Sequence, residues 1–212
     1  MLSGPGAAEL EAAVRHVAAA DPALVPVIEA AGPPDFRYQG YDHFGALLRS
    51  IFYQQLAGKA AAAIHGRFKA SFPSGITPEA VLAAPPDVFR AAGLSGAKAA
   101  SILDLAARAT DGRLPLAGVE ALPDEEVIAL LVQVRGVGRW TAEMFLIFQL
   151  RRLDVWPVGD YGVRNGWARA HGLAELPKPR ELAALGEAFR PYRSVAALYC
   201  WAAVRTVLLT SN

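Results

Sequence analysis

Two short stretches carry residue types from which chemistry can be built. The first is Arg135-Gly136-Val137-Gly138-Arg139. Two glycines around one apolar residue admit positive φ and let another backbone or a ligand approach closely. Consecutive backbone N–H groups at a helix start form an anion site, and an arginine on either side makes phosphate its natural guest. Amide contacts to phosphate hold a nucleic-acid backbone without reading its sequence. The same glycines also fit a tight helix–helix connection in which they serve packing alone. The second stretch is Pro157-Val158-Gly159-Asp160, where Pro157 and Gly159 break the chain and Asp160 stands just before a further helix. Asp160 fits an N-cap. A helix N-terminus also favours an anionic carboxylate, which suits an electrostatic catalyst, so the two readings are compatible.

The elements that position these stretches are helical. Apolar residues recur at helical spacing, as in Phe44, Leu47, Leu48, Ile51 and Phe52, then Ile102, Leu103, Leu105 and Ala106, then Val127, Leu130, Leu131 and Val134. Period-two alternation is not sustained, so strands are minor or missing. Breakers such as Asp21-Pro22, Pro33-Pro34, Pro85-Pro86, Asp111-Gly112 and Pro177 to Pro179 divide the chain into about ten short helices. Asp124 reads as an N-cap, with Glu125 and Glu126 in the first turn of a helix running to about Val134. A second helix starts near Arg139 and carries Thr141, Met144, Phe145 and Phe148.

Composition bounds the rest. The 212 residues are 53% apolar and 19% charged, with a formal net charge of +1, which excludes disorder, a collagen-like chain and an overall electrostatic appeal to nucleic acid or membrane. The distribution is uneven: from Arg135 onward eleven Lys and Arg face six Asp and Glu, so the C-terminal third is the basic part. The single cysteine, Cys200, excludes an internal disulfide, a cysteine-rich zinc site and an iron–sulfur cluster held by four thiolates. No apolar run has the roughly 18 to 20 residues needed to span a bilayer, and the N-terminus lacks a basic n-region with an apolar core. The expectation is a cytoplasmic bacterial protein with no membrane association. His16, His43, His65 and His171 have no metal-ligand spacing.

The stretch L-x-x-V-R-G-V-G-R-W-T-A resembles the helix-hairpin-helix signature of the DNA glycosylase superfamily that includes endonuclease-III-type enzymes. It is followed at the usual distance by a Gly/Pro-rich loop ending in Asp160. Three further stretches resemble the alkyladenine branch, 3-methyladenine DNA glycosylase II: Ser50 to Ala60 (SIFYQQLAGKA), Ala92 to Lys98 (AGLSGAK) and Arg190 to Trp201 (RPYRSVAALYCW). The match covers about residues 40 to 205. It implies an all-α fold of two helical lobes with a DNA-binding cleft between them. Within one compact unit over 1–212, the central lobe spans about 42–155 with the helix-hairpin-helix at 124–149. The second lobe is formed by residues 1–40 and 160–212. Only about 40 residues precede the matched region, which implies a minimal form without the N-terminal α/β domain of some members.

The resemblance also implies a function and a site. The expected activity is base-excision repair: hydrolysis of the N-glycosidic bond of alkylated bases, such as 3-methyladenine and 7-methylguanine, after the base is flipped out of duplex DNA. Asp160 is the matching catalytic carboxylate, and Trp140, Met144, Tyr161 and Trp201 match base-pocket positions. Met144 stands where some members have an aromatic, which bears on substrate choice. Aromatic faces suit a cationic purine; at helical spacing the same residues also fit a core. Arg135, Gly136, Gly138, Arg139 and Thr141 match the phosphate-binding hairpin. Gln55 and Leu56 are both candidates for the residue that fills the vacated stack. The hairpin carbonyls of Val132, Val134 and Val137 match a site for a monovalent cation, Na+ or K+, with no cofactor required. Members that also cut the backbone carry a nucleophilic lysine where this chain has Trp140, so a monofunctional enzyme is expected. The expected partner is damaged double-stranded DNA, bound by a monomer. Two other readings fit the motifs: a non-catalytic helix-hairpin-helix DNA-binding module, and a glycosylase for oxidised or mismatched bases.

Overall fold

The computed structural model describes residues 4–36, 40–54 and 58–205. All regular structure among them is helical: α1 (Ala7–Ala20), α2 (Val25–Ala31), α3 (His43–Tyr53), α4 (Gly58–Ala70), α5 (Pro78–Ala83), α6 (Pro86–Ala92), α7 (Gly96–Thr110), α8 (Asp124–Leu131), α9 (Arg139–Met144), α10 (Tyr161–Ala170), α11 (Pro179–Leu185) and α12 (Arg193–Arg205), with short 3-10 turns and a π turn at Phe145–Gln149. No helix among the described residues is long and apolar enough to cross a membrane. The chain forms two compact units, one of Gln39–Phe145 and the other of Met1–Tyr38 with Leu146–Asn212.

The first unit, α3 to α9, is built round aromatic and branched side chains. Phe52 and Phe68 pack with ring centroids 5.2 Å apart, Phe89 lies 5.5 Å from Phe68, and Leu47, Leu48, Ile51, Ile102 and Leu105 close the core. The α8 helix ends at Leu131, three residues before the point its apolar periodicity suggests. The amides of Gln133 and Val134 bond back three residues, to Leu130 and Leu131, which tightens the last turn and ends the α-helix. Val134 and Val137 remain buried, so their apolar character belongs to a packed turn. At the other end the N-cap is Pro123, not Asp124, because the Pro123 carbonyl accepts the amides of Glu126 and Val127. Asp124, Glu125 and Glu126 therefore all lie in the first turn, where anions are favoured.

A buried histidine is expected to make this unit sensitive to acid. His65 on α4 lies against Phe52 and Tyr41, and burial, then the charges of Arg49 and Lys69, hold its pKa below the ordinary 6.5. The unfolded chain takes up that proton at higher pH than the folded one. The stabilising contribution is therefore complete above about pH 6.5 and is lost as pH falls through the lower folded value. The thermal midpoint should drop on going from about pH 7.5 to 5, and His65→Gln should drop less. Parallel curves would show that His65 is not responsible.

In the second unit, α12 is buried at nearly every position from Ser194 to Ala203 and crosses α10 at very short range. Gly166 permits this: a Cβ there would lie 1.8 Å from the Cys200 carbonyl oxygen. Trp156, Trp167 and Phe189 fill the neighbouring core, and the Trp156 indole donates to the Leu182 carbonyl at 2.8 Å. Burial pushes the Cys200 thiol well above its usual pKa, so it sits here as a small apolar residue.

Candidate active site

The loop before α10 is fastened along its length. Ser194 Oγ accepts the Val155 amide at 2.9 Å and donates to the Arg152 carbonyl at 2.7 Å. Asp154 takes Arg193 Nε at 2.7 Å and Arg190 Nη1 at 2.8 Å. Asp154, the other acid near Trp156-Pro157, is thus a brace between the loop and the start of α12. Asp160 follows as the N-cap of α10, only 9% exposed, and its Oδ1 accepts the Val163 amide at 2.7 Å and the Trp201 indole N–H at 2.8 Å. The Trp201 ring stacks on Phe148, with centroids 5.6 Å apart and an interplanar angle of 28°. Gly162 makes room for this contact, since a Cβ there would lie 2.7 Å from the indole and 3.0 Å from Asp160 Oδ1. Tyr161, next in sequence, is 67% exposed. Asp160, Tyr161 and Trp201 therefore form one site: a carboxylate fixed by two N–H donors beside one stacked and one exposed aromatic ring.

The hairpin lies in the other unit. Gly136 has φ +76° and no room for a Cβ, which would lie 2.7 Å from Ser101 Oγ. Gly138 differs from the expectation that both glycines serve positive φ. Its φ is −98°, it is the N-cap of α9, and a Cβ there would meet nothing within 4 Å. The fold thus requires glycine at 136 but not at 138. Gln54, at the end of α3, clamps the turn by donating to the Gly136 carbonyl at 3.0 Å and to Thr141 Oγ1 at 3.2 Å. The Thr141 side chain is correspondingly buried. The Arg135 amide donates to Asp104 Oδ2 at 2.8 Å; this bond and the Arg108 guanidinium keep the Asp104 pKa low despite its partial burial. Arg139 does not stand clear as a phosphate contact: its guanidinium is held by Glu125 and Glu143. Lys98 Nζ caps α3, donating to the carbonyls of Phe52 at 2.7 Å and Gln54 at 2.8 Å. Trp140 is 48% exposed, and Met144 is half-buried.

The sequence profile of the HhH-GPD superfamily base excision DNA repair proteins matches residues 48–191, which takes in the hairpin, the braced loop and Asp160. The chain belongs to the HhH-GPD superfamily. Its relatives include DNA-3-methyladenine glycosylase 1 of Schizosaccharomyces pombe, 37% identical over 171 residues, covering 79% of this chain and 75% of that protein. Among solved structures, the 3-methyladenine DNA glycosylase of the same yeast in complex with abasic DNA superposes with a TM-score of 0.84 at 33% identity, over 94% of this chain and 100% of that one. A DNA-3-methyladenine glycosidase from Bacillus halodurans gives a TM-score of 0.80 at 36% identity, over 89% and 87%.

Within this HhH-GPD chain, sequence reasoning did not single out Gln54, Asp104 or Phe148 for the site. Gln54 lies inside the YQQL stretch, but only its reach to Gly136, 82 residues away, gives it a role. Phe148 lies in the π turn, a local rewinding common near functional sites that apolar periodicity does not reveal. Gln55 and Leu56, the gap-filling candidates, lie outside the described residues.

Proposed function

We propose that this chain is a monofunctional alkylbase DNA glycosylase of base-excision repair, acting as a monomer on damaged duplex DNA. The observation that carries the proposal is the Asp160 carboxylate, fixed at the start of α10 by the Val163 amide and the Trp201 indole. The names of its relatives supply the substrate, 3-methyladenine.

In this reading the bond between C1′ and the base nitrogen breaks as water forms the new C1′–O bond. Positive charge grows on the sugar at the transition state, and an anion fixed beneath it stabilises that state more than the ground state. Asp160 also orients the water or accepts its proton. An N3- or N7-alkylated purine already carries positive charge and departs neutral, so a strong general acid is unnecessary. Tyr161 and Trp201 offer ring faces to the cationic base. Fixed dipoles already hold Asp160 Oδ1, so no reorganisation is needed when the sugar arrives.

The hairpin holds the duplex backbone through its own amides and Arg135. Gly138 serves no packing need among the described residues, and the missing side chain leaves those amides open to phosphate. The turn also fits a monovalent cation. The Val132, Val134 and Val137 carbonyls follow the end of α8, where a helix leaves carbonyls without intrahelical partners. Val134 already accepts the Val137 amide at 3.0 Å and retains a second lone pair. A Na+ or K+ bound there would add positive charge behind the phosphate-facing amides.

The test is a panel of duplexes, each with one defined lesion, treated with borohydride during turnover. Free 3-methyladenine and 7-methylguanine should appear with no protein–DNA crosslink, because Trp140 replaces the lysine that would form a Schiff base. Release of 8-oxoguanine alone, or a crosslink, would overturn the assignment.

A further inference from the structure

The hairpin contains a charge arrangement that opposes the phosphate binding its motif suggests. Arg139 Nη1 and Nη2 donate to Glu125 Oε2 and Oε1 at 3.0 and 2.6 Å, a bidentate fork, while Nε donates to Glu143 Oε1 at 3.1 Å. Glu125 lies in the first turn of α8 and Glu143 one turn beyond Arg139 on α9, so one guanidinium ties both hairpin helices together. The carboxylates of Glu125 and Glu143 thus engage the Arg139 guanidinium beside amides that would face phosphate. A carboxylate and a phosphate present nearly the same two-oxygen edge to arginine, so they compete for the same fork. Glu125 is the removable partner, its side chain 73% exposed against 8% for Glu143. The hydrogen bonds of this pair lower the Glu125 pKa and raise that of Arg139.

We propose that Glu125 is an affinity-limiting residue: by occupying the Arg139 fork, it withholds one phosphate contact from the hairpin and keeps undamaged duplex weakly held. The inference rests on the hairpin's binding of duplex backbone. An exposed ion pair is weak, so a phosphate in register can displace Glu125, whereas passing phosphates meet a closed fork. A repair enzyme that must release undamaged DNA repeatedly gains from that restraint.

The test is equilibrium binding of the full chain to undamaged fluorescent duplex, read by anisotropy across a salt series. Glu125→Gln should tighten binding about 3- to 10-fold at low salt and steepen the log–log salt slope by about 0.9, the increment for one extra phosphate contact. Glu126→Gln makes the same charge change one residue away and should leave the slope as in wild type. Arg139→Gln should weaken binding by a larger factor in the Glu125→Gln background than in wild type. An unchanged slope in Glu125→Gln, an equal slope change in Glu126→Gln, or equal Arg139→Gln effects in both backgrounds would each overturn the proposal. If wild type shows no salt-dependent duplex binding, the DNA-binding reading fails first, and the two failures are thereby distinguished.

Discussion

Asp160→Asn should reduce release of 3-methyladenine by at least about 10²- to 10³-fold in single turnover, while affinity for undamaged duplex stays within about twofold of wild type. The substitution is informative because it changes charge and almost nothing else. The side-chain amide oxygen of the variant can still accept the Val163 amide and the Trp201 indole N–H, as Asp160 Oδ1 does at 2.7 and 2.8 Å, so the cap and the aromatic contact survive. What disappears is the negative oxygen needed only when the sugar becomes cationic. The loss should therefore fall on the rate of base release and leave the binding step alone, since removing an acidic group does not weaken attraction to phosphate. Retained release at wild-type speed would make Asp160 an N-cap and nothing more. The melting temperature of the variant should stay near wild type, separating this result from unfolding.

What the sequence revealed about the hairpin and about the Asp160 loop follows from the range of the forces involved. Gly136 and Asp160 stand out because turns and caps are settled by a residue's own backbone and its next few neighbours. Helix existence was equally legible from spacing, although the final turn of α8 was not: the i→i−3 bonds that end it at Leu131 leave Val134 apolar and in phase. Long-range partners left no local trace. Trp201 reaches Asp160 across 41 residues and Gln54 reaches Thr141 across 87. The two arginines flanking the hairpin look alike in sequence, yet Arg139 closes on Glu125, 14 residues earlier, while the Arg135 amide is bonded to Asp104. Even the two glycines divide, Gly136 being demanded by conformation and Gly138 by no contact among the described residues.

A glycine outside both motifs should prove as important to the site as those within them. Gly166→Ala is expected to lower stability by about 3 kcal/mol, the upper part of the range for overpacked cores, and the thermal midpoint by about 6–12 °C. Local preference points the other way, because alanine inside a helix is favoured over glycine by about 1 kcal/mol. The opposing effect is steric: a Cβ at 166 would lie 1.8 Å from the Cys200 oxygen and 2.4 Å from its carbonyl carbon. These are backbone atoms of a buried helix, which no rotamer change can move aside. Relief requires α10 and α12 to separate by about 1.5 Å or more, close to the difference between this distance and an ordinary carbon–oxygen contact. Asp160 caps α10 and Trp201 belongs to α12, so the same separation stretches the bond that fixes the carboxylate. Base release should therefore fall along with stability, even at temperatures where the chain remains folded. Gly66→Ala in the interior of α4 provides the contrast, since its Cβ would meet nothing within 4 Å and only the helix preference remains. That variant should melt at or above the wild-type temperature with base release intact. If Gly166→Ala did the same, the close crossing of α10 and α12 would not be what holds Asp160 in place.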